Sequence, residues 1–133
     1  MQFLKEEARS GELVPVLLGF SKEALRASRR FYRKYGVLSH VFCSRIPVLF
    51  RFSLFLKFHK VRATRDEALM LQALLDFAWQ LGNADVVLDL VPCAESYVSF
   101  VWTHRAELER SYLLADPKEM RRVWFGEDEE ASE

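Results

Sequence analysis

With 133 residues, half of them apolar and 29% charged, the chain has the size and composition of one globular domain with room for a sizeable core. Its net charge is zero, which removes the uniform positive field expected of a nucleic-acid binder, but residues 1–62 hold 13 Lys/Arg against 4 Asp/Glu and residues 63–133 hold 6 against 15. No apolar run approaches the ~20 residues of a membrane span, and two cysteines make no disulfide framework.

Residues 1–12 read as a polar lead-in with early acids and no apolar signal-peptide core, so a cytoplasmic, reducing setting is expected. The unbroken apolar run at 13–18 suits a strand buried on both faces, with Pro15 near its start or facing a missing ladder bond. Gly19 turns the chain, Ser21 caps a helix over residues 22–35, and Gly36 stops it. In that helix Leu25, Ser28, Phe31, Tyr32 and Tyr35 share one side with Ala24 beside them, while Lys22, Arg26, Arg29, Arg30 and Arg33 share the other. A second strand covers about 38–42. Strand, helix, strand is the unit of a parallel α/β sheet, and such sheets bind ligands at the carboxyl edge of their strands.

The stretch 44–61 opens with a Pro-led connection and ends as a third strand near 56–61; its middle is either a short helical turn or an irregular apolar crossing. Thr64-Arg65-Asp66-Glu67 has the spacing of a capping box, opening a helix that runs to about Leu81. The polar stripe of that helix (Gln72, Asp76, Gln80, then Asn83) is narrow. Its remaining apolar surface, Trp79 included, is either buried under the Phe-rich segment 47–58 or a contact surface for a partner or a second copy. Residues 85–91 form a fourth strand closed by Pro92, a helix follows over about 95–109, and 112–114 suit a short edge strand. Asp116, Pro117 and Glu119 read as cap, first residue and third residue of a last helix over 116–125. The acidic tail 126–133 is expected to be disordered. The body of the domain is therefore 13–115.

Two strings together carry a family resemblance. The first is PVLLGF…ALRASRRFYRKYGVLSHVF, in which Leu18-Gly19, Arg29, Phe31 and the Tyr35-Gly36…Ser39 group stand out; the second is VVLDLVPCAESYVSFVWTHRAELE, from Val86 to Glu109. Their order and separation resemble the N-terminal, pre-ATP-grasp domain of ATP-grasp carboxylate–amine ligases, in particular the D-aspartate-ligase-like branch. The resemblance implies an α/β, three-layer Rossmann-like domain with a four- to five-stranded, mainly parallel sheet, lending loops to an acceptor-substrate site. It implies no cofactor in this chain. ATP and Mg belong to the later ATP-grasp domain, which would have to be a partner domain or chain. DPKEMRRVW lacks the family's Asp-Lys pair followed by an aromatic, which argues against a complete ligase here.

The candidate binding residues are Gly19, Phe20, Ser21, Cys93, Ala94 and Glu95, all at expected carboxyl ends of strands. Each has a plainer reading. On that reading Gly19 only turns the chain and Ser21 only caps a helix; no GxGxxG surrounds them. Glu95 is read as a contact for an amine substrate or, more plainly, as a first-turn carboxylate that favours the macrodipole. Cys93 as a nucleophile needs a base, and His104 is the nearest histidine along the chain. The basic helix face is a solvated surface or a phosphate contact, and His40, His59 and His104 lack ligand spacing, so no metal is expected. No catalytic residue is assigned. The expectation is a stand-alone or truncated pre-ATP-grasp-like domain without catalysis of its own. The rival readings are one part of a split ligase and a homo-oligomeric interaction module, and neither involves nucleic acid or membrane.

Overall fold

A computed structural model describes residues 12–50, 53–62, 66–82 and 85–114. Of the lead-in read at 1–12, residues 1–11 lie outside the described residues, as do the helix expected at 116–125 and the acidic tail, while Glu12 opens the first strand. Five strands form one all-parallel sheet in the order β3-β2-β1-β4-β5: β1 (Glu12–Leu18), β2 (Ser39–Cys43), β3 (Leu56–Lys60), β4 (Val86–Pro92) and β5 (Tyr112–Leu114). Helix α1 (Lys22–Tyr35) joins β1 to β2; α2 (Glu67–Gln80) joins β3 to β4; α3 (Glu95–Thr103) and the single turn α4 (Arg105–Leu108) join β4 to β5. The fold is Rossmann-like, as expected, with a helical layer on each side of the sheet.

Side chains alternate between the two faces. Val14, Val16 and Leu18 of β1, Phe42 of β2, and Leu88 and Leu90 of β4 pack beneath Met70, Leu74, Phe77, Val98, Val101 and Leu108 of α2, α3 and α4. Leu17, Val41, Cys43, Val91 and Cys93 face the other way, against Ala24 and Ala27 of α1. The seven-residue β1–β4 ladder centres the sheet. Pro15 sits within β1, but its side of the strand faces β2, whose pairing begins only at Val16↔His40. That orientation follows from Gly19 N–H, on the same side, donating to the Phe42 carbonyl at 2.8 Å. The missing donor thus falls just before the ladder starts.

Three local expectations are corrected. Helix α2 is capped by Asp66, not Thr64: the Asp66 carboxylate accepts from Ala68 N–H at 3.0 Å and Leu69 N–H at 3.3 Å. A charged cap at the positive end of the helix satisfies two orphan donors by itself, and Thr64 lies outside the described residues. The buried stripe of α1 is Ala24, Ala27 and Ser28 rather than the larger residues; Tyr32 is 46% exposed. Small residues let α1 approach the sheet closely, and the Ser28 hydroxyl is satisfied by the Leu25 carbonyl at 2.8 Å. The helix expected at 95–109 breaks at His104, whose imidazole meets Glu67 of α2 at 3.0 Å. Between β2 and β3 the apolar stretch forms a 3₁₀ turn (Val48–Phe50), and Phe50 and Phe58 pack around Phe20, each ring 5.3 Å away. It covers the α1 side of the sheet, so it cannot bury α2 on the opposite side, and Trp79 stands 84% exposed.

Candidate functional site

The register decides what meets at the carboxyl edge. Leu18 pairs with Phe42 on one side and Pro92 on the other, so the next residue of each strand lies in one row: Cys43, Gly19, Cys93. Two backbone bonds hold it, Gly19 N–H to the Phe42 carbonyl (2.8 Å) and Cys93 N–H to the Leu18 carbonyl (3.1 Å). Above the row opens a pocket of about 400 Å³ lined by Gly19, Phe20, Ser21, Cys93 and Ala94, with Cys43, Ser44, Arg45 and Pro47 from the exit of β2 and Tyr97 from α3. Five of the six residues singled out from the sequence are therefore brought together. The sixth, Glu95, is the first residue of α3, exposed and outside the lining.

Gly19 is required twice over. Its φ of +87° lies in the region open to glycine, and a Cβ built there would meet the Tyr97 ring at 2.7 Å. The missing side chain is what lets that ring close over the turn. Ser21 also does two things. Its Oγ accepts from Ala24 N–H at 3.3 Å as the α1 cap and reaches the Cys93 carbonyl at 3.5 Å, tying the two turns together. Ala94 gives α3 no side-chain cap, and its carbonyl accepts from Tyr97 N–H at 3.0 Å and Val98 N–H at 3.1 Å. Arg45, exposed at the exit of β2, is among the lining residues.

The thiols are poorly suited to attack. Burial, reinforced by the Glu23 carboxylate, pushes the Cys93 thiol up to about 12, and its Sγ donates to the Val91 carbonyl at 3.6 Å. Burial likewise raises Cys43, whose Sγ donates to the Arg45 carbonyl at 3.2 Å. Both are protonated at neutral pH, whereas nucleophilic cysteines are tuned the other way. No histidine serves as base. His40 and His59 pack with Phe77 on the opposite face, and His104 is engaged by Glu67.

Sequence reasoning missed Cys43, Ser44, Arg45, Pro47 and Tyr97. The exit of β2 was legible in principle, since a parallel neighbour of β1 must end beside Gly19. Tyr97 carried no such signal, because its place depends on the close approach that only Gly19 permits. Among the described residues no group of three or more His, Cys, Asp or Glu is arranged for a metal, and no helix is long and apolar enough to cross a membrane. No protein-family model matches the chain, and neither does any curated protein.

Proposed function

We propose that this chain is a Rossmann-like domain of the pre-ATP-grasp kind that binds a small anionic molecule, of amino-acid or phosphate size, and does no covalent chemistry with its own thiols. The observation that carries this reading is the convergence of the Gly19 turn, the Cys93 turn and Arg45 on one pocket. At about 400 Å³ the pocket is near the lower end for small-molecule sites. ATP with Mg fits poorly: a single glycine lines the pocket, Tyr97 lies against it, and no cluster of metal-ligating side chains is present among the described residues. Any ligase chemistry belongs to a separate ATP-grasp partner. Two free, buried cysteines suit a reducing compartment, and the cytoplasm is the setting we assign.

Thermal shift and calorimetric titration with acidic amino acids, inorganic phosphate and nucleotides test the site. Stabilisation by a small anion is expected, about 2.7 kcal/mol at a hundredfold excess over Kd, and Arg45→Ala should abolish most of it. A flat response across all ligands refutes the reading.

A second reading rests on Trp79, 84% exposed on α2. It is self-association of two copies through that helix.

A further inference from the structure

The carboxyl-edge pocket carries an aromatic ring on each side of the sheet. Phe20 packs with the α1 face, Tyr97 of α3 packs with the opposite face, and both line the pocket. Each ring is held in place. Phe50 and Phe58 flank Phe20, with centroids 5.3 Å away. The Tyr97 ring lies so close to Gly19 that its Cε2 atom stands 2.7 Å from where a Cβ would be. Between the rings runs the row of Cys43, Gly19 and Cys93, and its polar groups are already engaged. The two thiols donate to the Arg45 and Val91 carbonyls. The Ser21 hydroxyl caps α1 and reaches the Cys93 carbonyl.

Apart from the Tyr97 hydroxyl, the polar side chains left to meet a ligand come from one place, the exit of β2, where Ser44 and Arg45 are exposed. Arg45 brings the one formal charge among the described lining residues. Such one-sided polarity disfavours a ligand that is polar all round. Bare phosphate, or an amino acid charged at three points, would give up hydration against Phe20 and Tyr97 without gaining a partner there. A flat ring gains instead, because stacked and edge-on aromatic contacts add to the area they bury. Apolar walls with a few placed polar groups are the usual make-up of small-molecule sites.

We propose that the pocket takes a small aromatic acid, with its ring between Phe20 and Tyr97 and its anionic group at Ser44 and Arg45. This rests on the reading of the pocket as an anion site and narrows the class of ligand.

Calorimetric titration of the full chain with 3-phenylpropionate, 3-phenylpropanamide, aspartate and inorganic phosphate tests it. The aromatic acid should bind about tenfold or more tighter than aspartate or phosphate, and by a similar factor tighter than its amide, which keeps the ring and lacks the charge. Tyr97→Leu, shown to be folded by a cooperative urea transition, should lose most of the preference over aspartate. The wild-type comparison decides the matter even if that variant does not fold. Aspartate or phosphate binding as tightly as the aromatic acid overturns the ring site and leaves the anion site standing, and so does an undiminished preference in Tyr97→Leu. Equal binding of acid and amide, or no binding by any of the four, overturns the anion site itself and this proposal with it.

Discussion

Single residues carry much of this architecture. Gly19 and Gly36 both have positive φ, +87° and +69°, but only Gly19 has a neighbour in the way: a Cβ at Gly36 meets nothing within 4 Å. Gly36→Ala should therefore cost about 1 kcal/mol from backbone strain. Gly19→Ala should cost about 2–4 kcal/mol, since overpacking against Tyr97 adds to it. Urea denaturation checks this, and in a Tyr97→Ala background the two costs should converge. A second pair is poised for acid. His40 Nδ1 and His59 Nε2 lie 2.8 Å apart, with Phe42 stacked on His59 and Phe77 against both rings. Burial first, then the positive charges of His59 and Lys57, push His40 down to about 4; burial and Lys57 lower His59. Both values lie below the ordinary ~6.5 of an unfolded chain, so the unfolded state binds more protons between these limits. The stabilisation is complete above pH 6.5 and fades as the pH falls toward 4. The midpoint of His40→Phe should fall less over that interval than that of the wild type; parallel curves would refute it. The pair was invisible in the sequence because 19 residues separate its members, and only the β2–β3 register brings them together.

At the level of elements, legibility followed the strength of the local pattern. β1, α1 and β4 were readable because an unbroken apolar run, a Ser cap with a Gly stop, and a Pro terminator act within a few residues. The start of α2 was displaced because two capping residues stand two positions apart, and sequence alone does not weigh them. Asp66→Ala should cost about 1 kcal/mol, measured as a fall in urea midpoint that shrinks in salt, as expected of a charge on a helix dipole. The stretch between β2 and β3 resisted assignment for another reason. Phe50, Phe55 and Phe58 follow neither helical nor strand periodicity, since they close around Phe20 and Tyr32 from a turn and a strand together. The carboxyl-edge site was legible as soon as the strands were taken to be parallel. Its β2 contribution and Tyr97 were not, because these depend on which strands are neighbours and on how closely α3 can approach.

Across the whole molecule, the uneven charge and the exposed Trp79 bear on association. Light scattering should report a dimer for the wild type and a monomer for Trp79→Glu if the tryptophan centres a contact between copies; a monomeric wild type removes that reading. The manner of any such contact is constrained by the outer strands. β3 is flanked on one side only and carries Lys57 and Lys60, and β5 is three residues long. Ammonium groups along one rim and a stub at the other discourage neighbouring chains from extending the hydrogen-bonded array. Molecules crowded at high concentration should accordingly meet through side chains on their helices and stay dispersed, rather than zip together into fibrils.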